Sequence, residues 1–429
     1  MRILWLKSDL LLPLDKGGKL RTWHLMRHLA ARHEITYLAF ADPHEDPAHV
    51  RGMSAVAARV ETVPRTDPPK GSLRFYADAA MHVVDPLPYA VSKYRSRGYR
   101  RKLDALLAEK PFDLIVCDFL FPAVNLPHDL PCPAVIFTHN VESEIWRRHA
   151  ETKASLPAKM LYGAQYRRMR RYESAALARF DGVLAVSDAD RRTFARVYPG
   201  AVPAPIHVVP TGVDTGFFAP TAPASPENGR DIVFTGSMDW LPNEDAMLFF
   251  CDKVLPIIRA EEPDVRLSIV GRAPTPAVSK LADTYRGSVR VTGRVDDVRP
   301  YVAEAGVYVV PLRIGGGTRL KIFEAMSMAK AVVSTPVGAE GLPVEDGRHL
   351  IFADEPNTFA RAVVRLLRDV SRRRELEAAA HRLVIDRYDW SAVASALEDS
   401  LLQIARAPTV DAGIIPQSAI RNPQLGDSL

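Results

Sequence analysis

Short apolar runs alternate with amphipathic stretches almost from the first residue. Arg2 to Lys7 is apolar apart from its ends, a helical pattern follows from Gly18 to Ala31, and a second apolar run covers Ile35 to Phe40. Runs of this length separated by helical segments predict βαβ units and a parallel sheet. The pattern continues with a helix over Tyr99 to Glu109 and strands at Leu114 to Cys117, Ala134 to Phe137 and Gly182 to Val186. Between Thr62 and Tyr99 it is poorer, because Pro64, Pro68, Pro69, Pro86 and Pro88 interrupt it, and an inserted loop or short helices are expected there.

The segment HVVPTGVDTGFFAPTAPASPENG combines a short strand, a Gly turn and a Pro/Ala/Ser-rich stretch, which suits a linker. The alternation then restarts: strands at Ile232 to Thr235, Val265 to Val270, Val289 to Thr292, Val307 to Val310 and Ala331 to Ser334, with helices from Asp245 to Glu261 and from Arg319 to Met328. The expected organisation is a first doubly wound domain over 1–205, a linker over 206–230, a second such domain over 231–380, a returning helix over 381–406 and a frayed tail over 407–429. The two halves are alike in architecture, not in sequence.

Composition supports two ordinary globular cores. The chain has 429 residues, more than a single hydrophobic core usually organises, with 47% hydrophobic and 25% charged residues. A net charge of +5, with basic and acidic residues interspersed, argues against nucleic acid as a partner. Three cysteines without a CxxC spacing argue against a structural metal and suit a reducing, cytoplasmic setting. The opening MRILWLKSDLLLPL reads as a buried strand, since Lys7, Ser8 and Asp9 interrupt it and no small-residue cleavage site follows. No run is long enough to span a bilayer, so membrane contact is expected to be peripheral at most, at the inner face.

In a parallel sheet, ligands gather beyond the carboxyl ends of the strands, where glycines admit phosphates and helix N-termini add partial positive charge. VVPLRIGGGTRLKIFEAMSMAKAVVSTPVGAEGL, residues 309–342, offers such a place. Gly315, Gly316, Gly317 and Thr318 can expose several amides, and Arg319 and Lys321 fall at a helix start, where cations oppose the macrodipole unless an anion sits beside them. Glu324, three residues beyond Lys321, can accept from vicinal ribose hydroxyls or pair with that lysine. No GxGxxG opens a helix after a strand, which speaks against a dinucleotide-dependent oxidoreductase.

These residues resemble the family 4 glycosyltransferases, and in particular sugar transferases of bacterial exopolysaccharide biosynthesis. The resemblance implies a GT-B fold: two doubly wound Rossmann-like α/β domains facing a central cleft. In the family's Glu-x7-Glu signature Glu324 matches the second position, which binds donor ribose, whereas the first falls on Gly316. The family's Gly-Arg-x4-Lys stretch reads GSMDWLPN here, with Ser237 and Pro242 in place of both cations. Arg319 and Lys321, with Arg313 as a further candidate, are therefore the expected partners of the departing diphosphate. TGRVDD resembles the base-binding loop, placing backbone near Arg294 and Val295 at the nucleobase, and VGAEGL would lie across the same pocket. In the first half, Gly17 and Gly18 resemble the acceptor-side glycine loop, with Arg21 able to reach an acceptor. His139, at the end of VIFTHN, resembles the residue facing the donor sugar.

The resemblance implies a retaining transferase that uses a nucleotide diphosphate sugar, expected to be a UDP-sugar, as co-substrate. It implies neither metal nor cofactor, and a glycan or lipid-linked acceptor. Two alternatives remain open at this level: a non-catalytic nucleotide-sugar-binding subunit and a GT-B-fold nucleotide-sugar epimerase.

Overall fold

The computed structural model describes residues 1–66, 72, 85–152, 155–202, 205–221, 230–314 and 320–406. The first half runs β1 (Arg2–Leu6), α1 (Gly17–Leu29), β2 (Glu34–Ala41), α2 (Pro47–Gly52), β3 (Arg59–Pro64), α3 (Tyr89–Ser92), α4 (Arg97–Glu109), β4 (Leu114–Asp118) and β5 (Ala134–Phe137). It continues with α5 (Glu142–Thr152), α6 (Leu156–Leu177), β6 (Gly182–Ala185), α7 (Asp188–Val197) and β7 (Ile206–Val208). Its seven strands are ordered β3-β2-β1-β4-β5-β6-β7. Every pairing is parallel. β4 and β5 are wholly buried, as expected of strands covered on both faces.

The second half comprises β8 (Asp231–Thr235), α8 (Leu241–Phe249), a π turn over Phe250–Val254, α9 (Leu255–Glu261), β9 (Leu267–Val270), α10 (Pro276–Thr284), β10 (Val289–Val291) and α11 (Arg299–Glu304). Then come β11 (Ala305–Val310), α12 (Leu320–Ser327), β12 (Ala331–Ser334), β13 (Ile351–Phe352), α13 (Pro356–Arg368), α14 (Val370–Tyr388) and α15 (Trp390–Arg406). The six strands are ordered β10-β9-β8-β11-β12-β13. The architecture is the expected pair of doubly wound sheets. In each, strand order reverses at one place, between β1 and β4 and between β8 and β11, and such a reversal opens a crevice beyond the carboxyl ends of the strands.

The final helices divide their burial between the halves. Leu376, Ala380, Val384 and Tyr388 of α14 belong to the core of the second sheet. Trp390, Val393, Ala394, Leu397, Leu401 and Ile404 form an i, i+3/i+4 stripe on α15 that joins a core face of the first sheet. The crossover therefore falls at Asp389, with α14 unbroken through residue 381. There Val213 N donates to Tyr388 O at 2.7 Å and the Thr215 hydroxyl donates to Asp389, tying the outgoing and returning segments together. Gly182 and Gly212 allow this packing: a Cβ would lie 2.4 Å from Ile404 at the first and 2.6 Å from Trp390 at the second.

The long α5–α6 hairpin and the edge strand β3 carry too mixed a pattern to stand out in the sequence. The helix expected from Asp245 begins at Leu241, since Pro242 suits a first turn that needs no N–H.

Candidate functional site

Both strand-order reversals carry charged side chains. In the first half, Lys7 follows β1 and is 1% exposed, while Asp118, the last residue of β4, is fully buried. Lys7 Nζ donates to Asp118 Oδ2 at 2.8 Å, the Thr22 hydroxyl lies 2.6 Å from the same oxygen, and Trp5 Nε1 donates to it at 3.1 Å. The other carboxylate oxygen lies 2.8 Å from His139 Nε2. Burial alone would raise the Asp118 carboxyl, but Lys7 and then His139 outweigh it and hold it well below the ordinary range.

An ionised Asp118 only accepts, so Nε2 of His139 carries the proton. Burial pushes His139 down to about 3, and Arg21 and Lys7 add to that against the opposing pull of Asp118. The imidazole is therefore neutral near pH 7, with Nδ1 as an acceptor. The ring is fixed by stacking on Phe119, at a centroid distance of 3.6 Å and an angle of 10°. Phe119 adopts φ 75°, unusual for an aromatic residue, as the chain turns out of β4. α1 starts against this stack because Gly18 has no side chain: a Cβ would sit 3.1 Å from Phe119 and 3.8 Å from His139 Cε1. Gly17 faces open space, and no side chain caps the helix.

Arg21 lies in the interior, not on the acceptor side expected of it. Its guanidinium donates to Val209 O at 2.6 Å, rests 4.0 Å from the Phe137 ring centroid and is 2% exposed, with Nε unpartnered. Its place on the inward face of α1 ties that helix to the end of β7. Glu142 is raised to about 7, first by burial and then by Glu173, which itself accepts the amides of Glu142 and Ser143 and so caps α5.

In the second half, Lys321 in the first turn of α12 reaches the end of β8. Its Nζ lies 2.9 Å from Asn243 Oδ1 and 4.2 Å from the Phe234 ring centroid, and a Cβ on Gly236 would fall 2.8 Å from it. Asn243 sits in the first turn of α8 and donates to Ser237 O at 2.9 Å. Glu324, one turn beyond Lys321, is half-buried, and its carboxyl has no hydrogen-bond partner among the described residues. Burial raises it to about 7, against the pull of Lys321. Arg313 is engaged elsewhere, in an ion pair with Asp245 at 2.5 Å, so it is not a ready diphosphate partner. The loop bearing Arg294 and Val295 reaches the same rim, where Gly271 N donates to Gly293 O at 3.3 Å; Arg294 is exposed and Val295 packs against the core. Gly338 is pressed against Val310 O, 2.7 Å from its would-be Cβ. Gly315, Gly316, Gly317, Thr318 and Arg319 lie outside the described residues.

The structure thus gathers Gly17, Gly18 and His139 at one strand-end rim and Lys321, Glu324 and the Arg294–Val295 loop around the other. Sequence reasoning missed Lys7, Asp118 and Asn243. Their signal was available for the first two, since a charged residue ending an apolar strand in a parallel sheet lies where ligands bind.

Two parallel, doubly wound sheets and a C-terminal helix returning to the first half define a GT-B glycosyltransferase architecture. A model described as Glycosyltransferase Family 4 matches residues 16–217, and one described as Glycosyl transferases group 1 matches residues 229–369. The chain belongs to this glycosyltransferase family and is an enzyme of that class. A phosphatidyl-myo-inositol mannosyltransferase of Mycolicibacterium smegmatis is 29% identical over 320 residues, covering 72% of this chain and 77% of the relative. An uncharacterized 44.6 kDa protein in the cps region of Klebsiella pneumoniae is 25% identical over 173 residues, 39% of this chain and 45% of that protein. Among solved structures, Anabaena HepE in complex with UDP and glucose superposes with a TM-score of 0.59 at 16% identity, covering 94% of this chain and all of the other.

Proposed function

We propose that the protein transfers a sugar from a UDP-sugar to a glycan or lipid-linked acceptor with retention of anomeric configuration and without a metal ion, in cell-surface polysaccharide synthesis. The observation that carries this reading is the cluster at the end of β8, where Lys321 reaches Asn243 and the nearby Glu324 carboxyl, raised to about 7, has no hydrogen-bond donor among the described residues. Lys321, with Arg319, would stabilise the charge that develops on the departing diphosphate, the interaction that matters most in the transition state. Glu324 would accept from the ribose hydroxyls, and the loop at Arg294 and Val295 would meet the base. His139 Nδ1 would accept from a hydroxyl of the transferring sugar. Neutral at pH 7 and flanked by Lys7 and Arg21, it suits a hydrogen-bond acceptor better than a proton acceptor. The acceptor proton would then pass to an oxygen of the leaving phosphate as the new bond forms on the same face.

Support for the donor comes from HepE, whose complex holds UDP and glucose, and for the acceptor from the mannosyltransferase relative, named for a phosphatidylinositol substrate. The Klebsiella relative supports the polysaccharide setting. No helix among the described residues is long and apolar enough to cross a membrane. On α6, however, Leu156 and Met160 are 70% and 68% exposed beside Lys159, with Arg167, Arg170 and Arg171 further along. Exposed apolar residues flanked by cations suit an anionic bilayer surface. The basic cluster near Lys93 is less available, since Arg95 pairs with Asp85 and Arg100 with Asp104.

Calorimetric titration with UDP, GDP and several UDP-sugars, with and without divalent metal, tests the donor assignment beside Lys321→Ala. Metal-independent UDP binding that the variant loses is expected; binding by no nucleotide would overturn it. NMR of the product anomer tests retention, and release of a rearranged nucleotide sugar without acceptor would identify an epimerase.

A further inference from the structure

The turn after β8 lacks both cations that the family's Gly-Arg-x4-Lys stretch supplies, since Ser237 and Pro242 occupy those positions. Lys321 restores one positive charge there from α12. A second arrives from a different strand. Arg272 follows β9 in the run VGRAPT, and its Nε donates to Ser237 Oγ at 2.9 Å. Strand-like pairing continues past the strand ends to hold it there: Gly236 N donates to Val270 O at 2.9 Å and Met238 N to Arg272 O at 3.0 Å. The approach depends on Gly271. It adopts φ +156°, and a Cβ there would fall 1.8 Å from Gly236 O, an overlap that no side chain could relieve.

The guanidinium so placed is held by a neutral hydroxyl. Around the second sheet Arg266, Arg299 and Arg313 pair with Asp231, Asp297 and Asp245, whereas Arg272 makes no ion pair among the described residues. Nor does any described residue accept from Nη1 or Nη2. Because Nε is anchored, the remaining edge of the planar fork is oriented, and that edge matches two oxygens of a phosphate better than a flexible ammonium does. Lys321 thus passes beside Gly236 and Arg272 bonds to the next residue, Ser237, ahead of the amino end of α8, whose first amides add partial positive charge.

We propose that Arg272 is a diphosphate-binding residue of the donor site, an arginine relocated from the β8 turn to the β9 turn, with Ser237 serving as its anchor. This rests on the donor site lying at the end of β8. The relocation explains why the serine and the arginine go together: a small hydroxyl at 237 makes room for, and aims, a guanidinium that enters from the side.

The test is the affinity of the full-length protein for uridine, UMP and UDP, and for the guanosine series, by calorimetry in wild type, Arg272→Ala, Arg272→Lys and Ser237→Ala. Arg272→Ala should weaken nucleoside diphosphate binding on the order of ten- to a hundredfold, as expected for losing hydrogen bonds to a charged partner, while nucleoside binding and the melting temperature stay unchanged. Arg272→Lys should recover part of the loss, and Ser237→Ala should weaken the diphosphate alone by a smaller factor. Unchanged diphosphate affinity in Arg272→Ala, or an equal loss for nucleoside and diphosphate, overturns the proposal while leaving the donor site in place. A wild-type protein that binds no nucleoside diphosphate overturns the donor site as well.

Discussion

Asp118 and Glu324 are carboxyl groups near the strand-order reversals of the two sheets, and their surroundings push them in opposite directions. Asp118 is fully buried yet held well below the usual range, because Trp5, Lys7, Thr22 and His139 all point at it. Glu324 is more exposed, yet burial raises it to about 7, with only the pull of Lys321 against it and no described residue donating to its carboxyl. Burying a charge is unfavourable in both places. In the first half fixed donors offset that penalty whether or not a ligand is present, so the site is rigid and already organised. In the second half no described side chain beyond Lys321 offsets it, and on the proposed function a bound donor would supply the missing hydrogen bonds. On the proposed function, the first reversal would hold a fixed geometry beside the transferring sugar and the second would bind the donor.

The contrast is broken most severely by Asp118→Ala. Leaving Lys7 buried without its carboxylate should destabilise the fold by about 3–5 kcal/mol, read from urea unfolding. Next comes Lys321→Ala, which on the proposed mechanism should lower turnover roughly a hundred- to a thousandfold, in the range found for removing one transition-state donor; an unchanged kcat would remove Lys321 from the chemistry.

Glu324→Gln sharpens the comparison through pH. The folded-state value lies above the unfolded one, so the folded chain holds the proton longer. The contribution of Glu324 to the stability of the unliganded protein should be fully present below about 4.5 and be lost as pH rises through 7. The rise from 4.5 to about 7 corresponds to at most roughly 3 kcal/mol, and the glutamine variant should be more stable than wild type by up to that amount at pH 8. Donor binding should run the other way. If ribose hydroxyls bind the ionised form, affinity for a UDP-sugar should grow about tenfold between pH 6 and pH 8 and become flat in Glu324→Gln, as calorimetry can measure. The smallest effect concerns His139, whose titration lies near 3. The pH–rate profile from 5 to 8 should keep its shape in His139→Gln even where the rate falls, and a vanished ionisation would show that His139 titrates in the working range.

Much of this was legible in the chain itself. Apolar runs such as LIVC and AVIF, buried on both faces, announce parallel strands, and the restart of alternation after the Pro-rich stretch near residue 220 announces a second sheet. The glycines at 17, 18 and 315–317 and the lysine at 321 could be put forward as candidates from their position after strands, since a parallel sheet presents ligands at that edge, while His139 and the ribose role of Glu324 were expected from the family resemblance. What the sequence determined by itself is therefore periodic or local: element type, the two-sheet architecture and which loops fall at the ligand-presenting edge of each sheet. Tertiary structure alone decided which of those groups are satisfied. Trp5 and Lys7, Thr22, Asp118 and His139 come from four separate segments, and nothing in their spacing says that the other four converge on the Asp118 carboxylate. Arg21 is the mirror case, a cation in a promising loop that the fold turns inward against Phe137 and Val209. Arg272 meets Ser237 across 35 residues only because two glycines let neighbouring strand exits touch. Burial, charge compensation and the direction of a pKa shift are sums over neighbours in space, and the chain order does not contain them.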